Sequence, residues 1–280
     1  ALVFLVCQFN FSGIARAQAL IKALQVNSTD LSTNITLFKE AVAWGSMGKQ
    51  EVVEQLLQFA SAVAQSTTIA PEVKQEVYAL AHESGERMLQ ERPGDARLEL
   101  LFASFLSQYG RLDESLRHLE AARTVSPQKQ RILFQIGVTL IQGGATEQAL
   151  PILKGAFDLE PRFNTARIYY ASGLYYAGQN TQADALLTEG FGTVLVDNQQ
   201  LLQVYIDTKQ FGRIVSIWSK RVEDNPGDPQ THIGLATAYF VSGDTTGAIA
   251  ELEKAMELSP TLAPQIQTVI NQIKDGTLKP

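Results

Sequence analysis

Ala96 to Pro161 (ARLELLFASFLSQYGRLDESLRHLEAARTVSPQKQRILFQIGVTLIQGGATEQALPILKGAFDLEP) carries one pattern twice, 34 residues apart. Phe102-Ala103, Leu106, Gly110, Leu119, Ala122 and Pro127 of the first copy correspond to Ile136-Gly137, Leu140, Gly144, Leu153, Ala156 and Pro161 of the second, which adds Ala149. Each copy reads as two apolar helical stretches, separated by a glycine turn and closed by a proline. Small residues fall where two helices must approach closely, and large ones where a groove must be filled. One such hairpin cannot bury its own apolar face, so the pattern implies a stack of neighbours.

Outward from this core the same register continues. Pro93 precedes Pro127 by 34 residues. A fifth hairpin keeps Tyr170-Ala171, Leu174, Gly178, Ala183 and Leu187. Pro226 then follows Pro161 by 65 residues, one repeat of 34 and one of 31, so three residues are missing near Gly190 to Asp197 and an irregular joint is expected there. The sixth hairpin has Leu201-Leu202, Tyr205, Ile214 and Trp218. The seventh has His232, Leu235-Ala236, Tyr239, Gly243, Ala248, Leu252, Ala255 and Pro260. Leu262, Ile266, Val269, Ile270 and Ile273 give a final amphipathic helix with a polar opposite face, as a terminal cap requires. Upstream, Lys49 to Gln65 and Glu72 to Gln90 read as two helices. Ser12 to Gln25 and Leu37 to Trp44 form a divergent first hairpin, joined by a polar connection rich in Asn, Ser and Thr. Pro151 lies about one turn into its helix and is expected to bend it.

The arrangement of small and aromatic sites with a closing proline resembles the tetratricopeptide repeat (TPR). The resemblance implies an all-α, TPR-like right-handed superhelical solenoid of about seven hairpins plus a C-terminal capping helix. Its divisions are an apolar segment (1–11), divergent hairpins (12–92), TPR repeats (93–260), and a capping helix with tail (261–280). In TPR register the first helix of each hairpin lines a concave groove, here with Arg97, Leu100, Arg131, Phe134, Val138, Ile141, Ile168, Tyr175, Gln203, Ile233 and Phe240. The groove lacks the Lys and Asn clamp with which chaperone-binding TPR proteins hold a peptide carboxylate. It is weakly polar with aliphatic and aromatic patches, suited to a helix, an extended segment or another copy of the chain. The same residues could instead pack on one another.

Composition removes several function classes. The 280 residues carry 23 basic and 29 acidic side chains, net −6, with no basic stripe, so no nucleic-acid partner is expected. Cys7 is the single cysteine and excludes an intrachain disulfide. His82, His118 and His232 lie on three different hairpins without metal-ligand spacing, so no metal is expected. Gly45-Ser-Met-Gly48-Lys49-Gln50 fails as a phosphate loop, because its glycines are too close and Gln50 replaces the magnesium-binding hydroxyl. Gly190-Phe-Gly192 lacks the third glycine of a dinucleotide fingerprint. No nucleophile elbow or paired zinc-binding histidines occur, so neither catalytic residues nor a cofactor are expected: the chain does not read as an enzyme.

Ala1 to Cys7 (ALVFLVC) is uninterrupted apolar sequence, far short of the roughly 20 residues that span a bilayer. Leu2, Val3, Phe4 and Leu5 make it a docking segment or the stub of a membrane helix. Asn10, Asn27 and Asn34 begin three glycosylation triplets and are expected to face solvent.

A second resemblance runs over NFSGIARAQALIKAL, LFKEAVAWGSMGKQEVVEQLLQFA, ERPGDARLELLFASFLSQYGRLDESLRHLEAA and IWSKRVEDNPGDPQTHIGLATAYF. In this order they are similar to the extracytoplasmic TPR tail of bacterial O-antigen polymerase and ligase-class membrane proteins. That implies a periplasmic or cell-surface scaffold, attached through its N-terminus beside a glycan-assembly enzyme and without activity of its own. Two alternatives stand beside it: a fibre-forming subunit whose apolar N-terminus docks on the next copy, and a cytoplasmic peptide-binding adaptor.

Overall fold

The computed structural model describes Gln18 and residues 20–23, 31–43 and 48–279. Ala1 to Phe11, with the docking segment Leu2 to Leu5, lies outside the described residues, as do Asn10 and Asn27. Among the described residues every regular element is a helix, as the repeat pattern implies. No helix among them is long and apolar enough to cross a membrane. The chain divides into two compact units, Ala1–Leu159 and Glu160–Pro280, a boundary that falls inside the 93–260 repeat run.

The first unit contains α1 (Leu31–Ala43), α2 (Lys49–Gln65), α3 (Pro71–Glu91), α4 (Ala96–Gln108), α5 (Leu112–Val125), α6 (Gln130–Gln142) and α7 (Thr146–Leu159). The second contains α8 (Asn164–Tyr176), α9 (Asn180–Phe191), α10 (Gln199–Asp207), α11 (Phe211–Asp224), α12 (Pro229–Val241), α13 (Thr245–Leu258) and α14 (Ala263–Lys274). Consecutive helices pair as hairpins, and each hairpin packs on the next within its unit.

The interior follows the repeat. Phe102, Ala103 and Leu106 of α4 and Leu119 and Ala122 of α5 are fully buried, as are Ala149 and Ala156 of α7. Gly137 shows why the repeat demands small residues: a Cβ there would stand 2.4 Å from Leu153 Cδ2, so α6 meets α7 almost backbone to side chain. Pro151 lies inside α7 on its exposed side.

Every hairpin from α4 onward turns by one device. The amide of Arg111 donates to Leu106 O, Ala145 to Leu140 O, Gln179 to Leu174 O, Gln210 to Tyr205 O and Asp244 to Tyr239 O, at 2.7–2.9 Å. This six-to-one bond closes a Schellman motif, which needs a left-handed residue just before the donor. Gly110, Gly144, Gly178 and Gly243 supply it, with φ between 71° and 90°. In the α10–α11 turn the residue is Lys209, at φ 57°.

The missing residues are absorbed where the spacing places them. Helices α4, α6, α8, α10 and α12 end at Gln108, Gln142, Tyr176, Asp207 and Val241, intervals of 34, 34, 31 and 34. Helix α10 has nine residues where the others have thirteen, and 193–198 runs irregularly ahead of it. Five hydrogen bonds hold this stretch: Tyr205 Oη donates to Val194 O (2.9 Å), Arg221 forks onto Asp197, and the Asn198 side chain accepts from the Gln200 and Leu201 amides.

Asn34 corrects an expectation. The polar stretch before Leu37 is helical from Leu31, because Leu31, Ile35 and Phe38 supply an inward face. Asn34 shares that face, is 3% exposed, and donates through Nδ2 to Ala23 O at 2.5 Å. It does not face solvent, and a glycan cannot be attached to it in this fold.

Candidate functional site

The register positions separate into three groups. Leu100, Phe134, Ile168 and Tyr175 are buried and so correct the groove assignment: they do not line an open surface. Tyr175 donates to Asp184 Oδ1 (2.6 Å), and Arg213 donates to Asp184 Oδ2 (2.9 Å). The Arg213 guanidinium also lies 5.4 Å from the ring centroids of both Tyr175 and Tyr205. Burial pushes the Asp184 carboxyl up, but the bonds from Arg213 and Tyr175 outweigh it and hold the group below its ordinary value.

Arg97, Arg131 and Gln203 are exposed, and two of them are engaged: Arg97 pairs with Glu54 (2.5 Å) and Gln203 donates to Asp207 (2.8 Å). Arg97 and Lys49 border an open charged depression, in which Lys49 pairs with Glu91.

Val138, Ile141, Ile233 and Phe240 are half-buried. Of these, Ile233 and Phe240 line a built cavity of about 410 Å³ in the second unit. Asp228 caps α12, accepting the Gln230 amide, and Pro229 opens the helix. Residues 233, 236, 237 and 240 then fall on one face at helical spacing. Ala236 of α12 and Leu252 of α13 make a low floor, since the alanine leaves space that a larger residue would fill. Ile266, Val269 and Ile273 of α14 form the opposite wall, with Leu278 at one end. Thr237 and Gln265 give the rim its polar groups, and no charged side chain lines the cavity. The volume lies within the range of pockets that bury a ligand. The sequence pointed to α12 but assigned α14 only to capping; its apolar face does both.

Two of the three histidines share one cluster, and the third lies elsewhere. His232 is buried and bridges Glu251 Oε2 (2.6 Å) and the Pro226 carbonyl (3.0 Å), a structural role. His82 and His118 meet on the first unit, where His82, Glu86 and Glu114 place ligand atoms within 4.8 Å of one another. The sequence expectation weighs the histidines against one another and Cys7 alone; here the two carboxylates complete the group. The signal was present as His-x-x-x-Glu at 82–86 and Glu-x-x-x-His at 114–118.

No protein-family model matches the chain, and no curated protein matches it. Solved structures do. A tetratricopeptide repeat protein from Parabacteroides merdae ATCC 43184 aligns at TM-score 0.57 and 13% identity, over 94% of this chain and 100% of that one. A thermophilic TPR protein of Thermus thermophilus aligns at TM-score 0.39 and 17% identity, over 79% and 98%. YrrB, a TPR protein with an unusual peptide-binding site, aligns at TM-score 0.38 and 16% identity, over 63% and 93%. The Parabacteroides likeness carries the conclusion: this chain has the helical-repeat fold of tetratricopeptide-repeat proteins.

Proposed function

We propose that the chain is a non-enzymatic scaffold for protein–protein interaction, and that its recognition site is the cavity between α12 and α14. The carrying observation is a pocket with an apolar floor and walls, a polar rim and no charge, on the helix face that the TPR register assigns to ligands. Such a pocket favours an apolar segment, whose burial contributes about 25 cal/mol per Å². Pull-down with the wild-type chain and with Phe240→Glu tests the reading; partners retained equally by both would exclude the cavity.

The proposal includes an extracytoplasmic setting beside a membrane glycan-assembly enzyme. It rests on the resemblance of the chain to the tails of O-antigen polymerase and ligase-class proteins. Membrane helices encoded directly upstream would support it, and a start codon directly before Ala1 would remove it.

A second reading, self-assembly, is favoured by one pairing: the cavity is apolar, and so is Ala1 to Val6 of the same chain. A head-to-tail contact of this kind repeats into a fibre unless its rotation closes a ring. Deleting residues 1–11 and comparing light scattering decides it, since equal monodisperse monomers would eliminate self-docking.

A further inference from the structure

His82 and Glu86 stand four residues apart on α3, and Glu114 and His118 four apart on α5, so each pair shares a helix face. The pairs meet crosswise. His82 Nε2 is 2.8 Å from Glu114 Oε1, and His118 Nε2 is 3.6 Å from Glu86 Oε1. Ligand atoms of His82, Glu86 and Glu114 all fall within 4.8 Å of one another, and the three side chains are half-buried.

The surroundings orient these groups. The His82 ring is held between Tyr78 and Phe102, at centroid distances of 5.3 and 5.5 Å. Arg111 Nε donates to the second oxygen of Glu114 (3.2 Å). His118, beside Glu86 through Nε2, reaches Glu99 through Nδ1 at 2.7 Å. The result is a carboxylate–imidazole–carboxylate chain of the kind that fixes metal ligands from behind.

Ion pairing alone leaves this cluster unbalanced. Three carboxylates, Glu86, Glu99 and Glu114, converge on one permanently charged group, Arg111, and two imidazoles. With the imidazoles neutral the excess is two negative charges, which a divalent cation matches. One imidazole nitrogen with two carboxylates is a donor set for zinc-class ions and leaves a fourth position open. Around a tetrahedral ion with bonds of 2.0–2.2 Å, ligand atoms sit roughly 3.3–3.6 Å apart, so His82 Nε2 and Glu114 Oε1, now 2.8 Å apart, must open slightly while the wider spacings draw in by at most about 1.5 Å.

We propose that His82, Glu86 and Glu114 form a binding site for a zinc-class divalent transition metal, which would tie α3 to α5. Titrating the intact chain with zinc chloride by calorimetry, and with cobalt(II) by visible absorption, tests it. The expected result is one ion per chain, a cobalt spectrum of tetrahedral intensity, and a thermal midpoint that rises with zinc concentration. His82→Ala and Glu114→Gln should each weaken binding by at least about tenfold, since loss of even outer-shell partners costs that much. Glu86→Gln serves as the variant least disruptive to packing, and circular dichroism confirms that each variant is folded. Cys7→Ser should bind as wild type does. The proposal is overturned if zinc up to millimolar concentration does not bind, if folded Glu86→Gln binds undiminished, or if binding disappears only with Cys7.

Discussion

The buried phenol of Tyr205 donates to the carbonyl of Val194, eleven residues earlier, at 2.9 Å. This bond fastens the one connection at which the repeat loses three residues. Tyr205→Phe leaves that carbonyl without its partner while preserving the ring. The expected loss is about 0.5–1.5 kcal/mol, the net contribution of one hydrogen bond at a part-buried site. Urea denaturation should show a lower midpoint at an unchanged slope.

Lys209 occupies the turn position that Gly178 holds one repeat earlier, and both adopt left-handed backbone, φ 57° and 72°. Glycine enters that region freely, whereas a side chain costs about 1–2 kcal/mol there. Lys209→Gly should therefore stabilise the chain by about 0.5–1 kcal/mol, after the added freedom of the unfolded glycine is subtracted. A thermal midpoint that falls would count against the Schellman assignment at this turn.

Two helical glycines should respond in opposite directions. At Gly137 any Cβ meets Leu153 at 2.4 Å, so Gly137→Leu should cost about 1–3 kcal/mol or more by overpacking. At Gly155, exposed on α7, nothing lies within 4 Å of an added Cβ, and Gly155→Ala should gain about 0.5–1 kcal/mol from helix propensity alone. Both values come from the same denaturation series.

Acid should loosen the chain through its bonded carboxylates. The folded pKa of Asp184 is lowered against opposing burial by Arg213 and Tyr175, and that of Asp197 by the Arg221 fork. A depressed folded pKa contributes stability above the unfolded value of 3.8 and loses it as pH falls through the folded one. Urea midpoints should thus decline steeply below about pH 4. Asp184→Asn should flatten that decline and lower the midpoint at pH 7; an unchanged pH profile would show that the Arg213 contact adds nothing.

Much of this was legible in the sequence because the repeat encodes it in residue size. Gly110, Gly144, Gly178 and Gly243 announce their turns, and Gly137 and Ala156 announce close helix contacts. Lys209 was invisible, since only the three-residue deficit, and not a glycine, marks its turn. The groove was half legible. Spacing places Leu100, Phe134, Ile168 and Tyr175 on the same helix face as Ile233 and Phe240, but a period of 3.6 cannot tell a face covered by its neighbours from an open one. Asn34 misled for a related reason: a polar residue in a Thr-rich stretch signals a loop, while Leu31, Ile35 and Phe38 make it helix and carry Asn34 inward. His82-x-x-x-Glu86 and Glu114-x-x-x-His118 are each legible as a helix-face pair, but that the two pairs meet across hairpins is not.

The central claim is that the cavity between α12 and α14 receives an apolar protein segment. Selection of random phage-displayed peptides on the wild-type chain and on folded Phe240→Glu tests it most directly. The account predicts enriched sequences rich in Leu, Ile and Phe, binding Phe240→Glu at least about tenfold more weakly, as the 1.5–3 kcal/mol of one buried side chain implies. No enrichment, or enriched peptides that bind both proteins equally, would contradict it.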